Sequence, residues 1–217
     1  MSTTVVRHTL QELVQKELAW DPQVTSHAIG VTSEGGAVSL TGFVTSYAEK
    51  AAAERAALRV LGTTAVANDL VVRLDRERID PEIAGDAATA LRLNLNVPTT
   101  VKATVHKGYV SLEGTCEWNF QRDAAAHAVG HLAGVCGVVN HIAITPHVSA
   151  GAVKTRIEDA IARSAEVDAH AVTVSATGST VRLGGTVRSH AERFEAERAA
   201  WAAPGVTAVQ NAIVVGR

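Results

Sequence analysis

One five-residue pattern is written three times in this chain of 217 residues. Val38-Ser39-Leu40-Thr41-Gly42 returns as Val110-Ser111-Leu112-Glu113-Gly114 and again as Val181-Arg182-Leu183-Gly184-Gly185. The closing glycines lie 72 and then 71 residues apart, and each is followed 26 residues later by an asparagine in an apolar run: Asn68, Asn140 and Asn211. Two landmarks held at one separation in three copies mean three tandem units of one fold. Positions present three times are read as architecture, and positions present once as local sites.

A unit of about 70 residues is near the lower limit for a self-sufficient core, since such a chain buries only about 60% of its unfolded surface. The hydrophobic fraction of 47% and mean hydropathy of +0.11 are those of a folded chain, not a disordered one. Charge is spread evenly. Residues 1–76 carry 7 Lys and Arg against 8 Asp and Glu, residues 77–147 carry 5 against 7, and residues 148–217 carry 8 against 7. No unit is a basic module, so nucleic acid is not the expected partner. Met1 to His8 hold no apolar export segment, and no stretch reaches 18 uninterrupted apolar residues. The expected location is cytoplasmic. Two cysteines in 217 residues do not form a disulfide framework.

Within the first unit Leu10, Leu13, Val14 and Leu18 recur at helical spacing, and Asp21-Pro22 ends the helix. Ile29 and Val31, then Val38, Leu40, Gly42 and Val44, alternate as the arms of a hairpin around Ser33 to Gly36. Ser46 and Glu49 have the spacing of a capping box in which each satisfies the other's free amide. The helix they open presents Ala52, Ala53, Ala56, Ala57 and Val60 and is expected to stop at Gly62; a strand with Val66, Asn68, Leu70 and Val72 on one face closes the unit. The order is αββαβ. Its last two strands should be parallel, joined by a right-handed crossover. Unit 2 is expected to shorten its hairpin by two residues, turning at His106 to Tyr109, and to lose the capping box because Trp118 stands at the cap. Unit 3 keeps the box as Ser189 and Glu192. Asp75 to Pro81 and Thr145 to Gly151 are the expected linkers.

Gly42, Gly114 and Gly185 fall on the inward parity of the second strand, where a missing side chain lets a helix backbone approach. Asn68, Asn140 and Asn211 share parity with buried residues, so their amides should be buried and paired with nearby backbone. His127 and His131 have H-x-x-x-H spacing on a helix and form the candidate metal pair. The other units carry Arg55 and Arg59, or Arg198 and Ala202, at the equivalent positions, so no metal or cofactor is expected in the design. Cys116 and Cys136 belong at opposite ends of the sheet, too far apart to bridge. Trp20, Trp118 and Trp201 fall at different places in their units; they are expected to be partly buried packing and not a shared aromatic platform. No nucleophile elbow, phosphate loop, dinucleotide fingerprint or H-E-x-x-H is present, and no catalytic residue is assigned.

The run from Val38 to Val44, with Ala53, Ala56, Gly62 and Val66 to Val72, closely resembles a BON domain, of the bacterial OsmY and nodulation family once called transport-associated. Gly134, Val135, Val138, Asn140 and Ile142 continue the resemblance in unit 2, and Gly205, Val206, Val209, Asn211 and Ile213 in unit 3. It implies an α+β fold of three tandem αββαβ BON-type domains at residues 1–75, 76–146 and 147–217. Each would be a small three-stranded mixed sheet with two helices on one face. It also implies a non-enzymatic bacterial protein that binds membrane phospholipid surfaces or proteins in osmotic or general stress. The alternative is a chaperone-like or scaffold module that uses open sheet faces or edge strands. Function is expected where the copies disagree: the second helix of unit 2 with Trp118, arginine-bearing unit 3, and the surfaces between units.

Overall fold

Thr9 opens the first helix by accepting the Glu12 amide while Glu12 accepts the Thr9 amide, at 3.3 and 3.0 Å. The computed structural model that shows this describes residues 9–73, 78–145, 153–164 and 171–216. The chain divides into two units, one from Met1 to Arg73 and one from Leu74 to Gly216, so the first holds one repeat and the second holds two.

In the first repeat, α1 (Leu10–Trp20) buries Val14 and Leu18 and ends at Asp21. Leu13, expected on the same face, stands one position off the buried stripe and is 37% exposed. A short 3-10 turn leads to β1 (Ile29–Glu34), antiparallel to β2 (Ala37–Val44), with only Gly35 and Gly36 of the expected Ser33–Gly36 turn left outside the strands. The helix α2 (Tyr47–Arg59) returns the chain to β3 (Ala65–Val72), parallel to β2 from Ala37–Ala65 to Val44–Val72. It ends on Val60, before Gly62. Val14, Leu18, Val31, Val38, Leu40, Ala53, Ala56 and Leu70 form the core. Each large aliphatic chain buried there contributes about 1.5–3 kcal/mol.

The second repeat uses α3 (Asp80–Leu93), β4 (Lys102–His106), β5 (Tyr109–Glu113), β6 (Thr115–Cys116), α4 (Asn119–Gly130), β7 (Gly137–Asn140) and β8 (Ala143–Ile144). Pro81 lies in the first turn of α3, where a missing N–H costs nothing, and not in a linker. Of the expected linkers, residues 75–77 and 146–151 lie outside the described residues. The third repeat uses α5 (Val153–Arg163), β9 (Val172–Thr177), β10 (Thr180–Val187), α6 (His190–Trp201), β11 (Ala208–Asn211) and β12 (Val214–Val215). β7 runs parallel to β5, and β11 and β12 run parallel to β10. The hairpin of the second repeat is not shortened: Ala103 faces Leu112 as Val31 faces Leu40, and Lys107-Gly108 takes the place of Gly35-Gly36. Only the number of paired residues falls.

The repeated glycines have positive φ, +119° at Gly42, +131° at Gly114 and +113° at Gly185. A β-carbon there would be driven into the carbonyl oxygen of Ala28, Thr100 or Ala171. What approaches is therefore the segment entering the hairpin's first strand, not a helix backbone. Strand parity reports the side of the sheet but not the path of the preceding loop.

The helix caps also differ from the expected reciprocal box. Ser46 Oγ accepts the Glu49 amide at 3.1 Å, but the Glu49 carboxylate does not return to Ser46. It accepts the Thr25 amide, the Thr45 amide and the Thr45 hydroxyl, each at 2.8 Å, and so ties α2 to the loop before β1. Burial pushes the Glu49 carboxyl up, but the amide donors of Thr45 and Thr25 outweigh it and hold its pKa below the ordinary glutamate range. Glu192 repeats the arrangement by accepting the Arg188 amide at 3.2 Å. In the second repeat Gln121 Oε1 accepts the amides of Glu117 and Trp118 at 2.9 and 3.1 Å. The box there is half kept: the indole offers no acceptor, and the Gln121 amide bonds the Trp118 carbonyl instead.

Replacing Glu49 by Ala strands three donors and should lower stability by about 3 kcal/mol in urea unfolding. Because the folded-state pKa is depressed, the contribution of Glu49 is complete above the ordinary glutamate range and is lost as pH falls through the lowered value. The gap between wild type and Glu49→Gln should close in acid and stay constant above neutrality. Gly185→Ala should cost at least about 3 kcal/mol, while Gly35→Ala, with nothing within 4 Å of the added carbon, should cost about 1 kcal/mol for its positive φ alone. Thermal melts of the two variants measure the difference.

Candidate functional site

The three asparagines bridge the last strand of each repeat to its second helix. Asn68 Nδ2 donates to the Lys50 carbonyl at 3.1 Å and to Glu54 at 3.0 Å, Asn140 to the Arg122 carbonyl at 2.9 Å, and Asn211 to Glu197 at 2.8 Å. Each Oδ1 accepts the amide two residues on, from Leu70, Ile142 or Ile213. They are half-buried, less than their parity suggested, because the helix covers one side of the amide only. They fasten the fold and face no cavity described below.

His127 and His131 lie with ring centroids 4.2 Å apart. His131 is the residue after α4, not within it, and its Nδ1 lies 2.9 Å from the His127 carbonyl. Both side chains are exposed, and no group of three His, Cys, Asp or Glu that could hold a metal occurs among the described residues. Cys116 is buried and Cys136 half-buried, and both are free. Burial pushes the Cys116 thiol up, which leaves it unreactive. Trp118 and Trp201 are half-buried, as expected, but line one cavity together, and Trp20, the last residue of α1, is 83% exposed against expectation.

Among the described residues of the unit from Leu74 to Gly216, two cavities of ligand-site size differ in chemistry. The first, about 530 Å³, opens between the C-terminal end of α3 and the start of β4. Its walls are Leu91, Val97, Pro98 and Val101, and its charged members are Arg92 and Lys102, with no carboxylate among the lining residues. Both cations are exposed, and among the described residues neither is held in an ion pair. Glu113 stands opposite Lys102 in the hairpin register without bonding it. Beside this cavity Leu93 is 67% exposed and Leu95 fully exposed. Leu93 lies two positions past buried Leu91, about 200° round α3 from the buried face, and Leu95 follows the helix end, where the Asn94 side chain accepts the Asn96 amide at 3.0 Å.

The second cavity, about 670 Å³, lies between α4 and α6. Trp118, Phe120, Phe194 and Trp201 wall it, with Arg122, Asp123, Glu197 and Arg198 among them. The Arg122 guanidinium sits 4.8 Å from the Trp201 ring centroid. Asp123 accepts Asn119 Nδ2 at 2.8 Å, and loss of hydration pushes its carboxyl above the ordinary range; Glu197 adds to this while Arg122 and Asn119 oppose it.

Neither cavity was visible in the repeat. When the first helices are matched at their ends, Asp21 and Asn94, Leu93 takes the place of Trp20. The signal was an apolar residue at the end of a helix in two copies, off the buried face in both. The aromatic cavity joins residues of two repeats, and no spacing within one repeat reveals it.

No helix among the described residues is long and apolar enough to cross a membrane. The chain is 32% identical over 136 residues to "Osmotically-inducible protein Y" of Escherichia coli (strain K12), a match covering 59% of this chain and 68% of that protein. Of solved structures, a chain from CdsD, a structural protein of the type III secretion system of Chlamydia trachomatis, aligns at 15% identity over 94% of this chain and 91% of that one. Its TM-score of 0.26 is too low to carry a fold argument. The BON domain model matches residues 7–73, 79–146 and 149–217, and the chain accordingly belongs to the BON domain family, with three consecutive copies.

Proposed function

We propose that this chain is a non-enzymatic protein of osmotic adaptation that docks on phospholipid surfaces through the C-terminal end of α3. The observation that carries the reading is the pairing of an apolar cavity and two exposed leucines with Arg92 and Lys102, and no carboxylate among the lining residues. A lipid surface presents phosphate above hydrocarbon, and this end of the domain presents cations beside apolar side chains in the same order. Trp20 offers a further anchor at the equivalent end of α1, where an indole suits the boundary between water and lipid. The link to osmotic stress is supported by the name of the relative in E. coli. The absence of a recognisable catalytic motif supports a binding role.

Attraction should be modest, because each basic side chain near an anionic surface contributes about 1 kcal/mol and the chain carries a net charge of −2. Flotation with vesicles of phosphatidylglycerol and phosphatidylcholine, against phosphatidylcholine alone, should retain the chain on the anionic mixture at low salt. Arg92→Gln with Lys102→Gln should weaken partitioning by about 2 kcal/mol. Leu95→Asp should weaken it by about 1.5 kcal/mol or more without changing the melting temperature, since Leu95 packs against nothing. Equal retention of all variants would remove α3 from the docking surface. No retention by either vesicle would remove phospholipid as the partner and leave the scaffold reading in its place.

A further inference from the structure

The cavity between α4 and α6 has no role in lipid docking as argued above. Its composition points elsewhere. An anionic surface would meet two carboxylates there, Asp123 and Glu197. The four aromatic side chains offer ring faces, and one face already holds a cation, the Arg122 guanidinium over Trp201. Of the two arginines, Arg122 is committed to that ring and Arg198 to Glu195, whose carboxylate lies 2.9 Å from Arg198 Nε. The carboxylates are only half engaged. Asp123 Oδ2 takes Asn119 and Glu197 Oε2 takes Asn211, while the second oxygen of each has no donor among the described residues. Trp201 is also the last residue of α6, so the negative end of that helix dipole adjoins the cavity, opposed by the positive end at the start of α4.

We propose that this cavity is a binding site for a small organic cation bearing ammonium groups, held by the free oxygens of Asp123 and Glu197 and flanked by the aromatic walls. An ammonium brings three donors, which suits two carboxylate oxygens that lack them, and its alkyl chain suits ring faces. A cavity of about 670 Å³ has the dimensions of a small-molecule site. The site rests on both the second and the third repeat, so a single repeat would lack it.

The test is titration of the full chain with 1,5-diaminopentane, followed through the indole N–H resonances of Trp118 and Trp201, beside the neutral isostere 1,5-pentanediol. The diamine should give a saturable shift at these two indoles and little at Trp20, and the diol none. Asp123→Asn and Glu197→Gln should each weaken binding about tenfold, while Glu34→Gln, an exposed carboxylate on β1 of the first repeat, leaves it unchanged. Affinity should also fall as the pH is lowered, beginning above the ordinary aspartate range because Asp123 takes up its proton early. A diol that binds as well as the diamine, a diamine response without saturation, or indifference to both carboxylate variants would overturn the proposal. Binding of acetyl-Gly-Lys-Gly-amide without binding of the diamine would overturn the small-molecule source. Vesicle retention should be the same in Asp123→Asn, so failure here and failure of lipid docking are separate results.

Discussion

Two parallel strands cannot be joined by a tight turn, so each repeat depends on the helix that carries the chain from the end of its second strand back to the start of its third. That crossover is fastened by polar groups at both ends. At its start Glu49, Gln121 or Glu192 holds the amides that precede the helix, and at its far side Asn68, Asn140 or Asn211 bonds the helix from the third strand. Apolar burial supplies most of the stability of such a unit but has no direction. The fasteners supply direction by fixing where the helix lies on the sheet. The glycine at Gly42, Gly114 or Gly185 completes the frame, because its positive φ lets the loop entering the first strand pass against the second.

Much of this frame was legible because it is written three times. Helix faces, strand order, parallel pairing and the positions of the glycines and asparagines follow from period and parity. What was not legible depends on partners distant in sequence. Ser46 and Glu49 have the spacing of a local cap, but the second task of Glu49 is set by Thr25, which reaches it only after the loop folds back. Gly42 was placed correctly on the sheet and assigned the wrong neighbour for the same reason. Position within a single repeat does not relate the three tryptophans. Trp118 begins one helix and Trp201 ends another, and it is the packing of the second repeat with the third that brings them to one cavity.

The same logic explains why two cavities of different chemistry arise on one fold. Positions inside a repeat face the same packing problem three times, and many keep side chains of similar size: Leu18, Leu91 and Ile161 on the first helices, Leu40, Leu112 and Leu183 on the second strands. Positions at helix ends carry no such constraint. One helix end therefore presents Leu93 and Leu95 with Arg92, while the facing ends of two others present four aromatic rings and two carboxylates.

Charge then decides what each surface can accept, since both are walled mainly by apolar side chains. Beside Arg92 and Lys102, an anion gains from both cations and meets no carboxylate in the lining. Beside Asp123 and Glu197 the same anion would meet two like charges, one of them already destabilised by lost hydration, whereas a cation would relieve that cost. A chain whose net charge is only −2 can thus hold two selective surfaces, because one lining carries cations without carboxylates and in the other the arginines are engaged by Trp201 and Glu195. Overall charge limits how strongly the protein is drawn to any surface from a distance; the local sorting of charge about each cavity determines what is retained on contact.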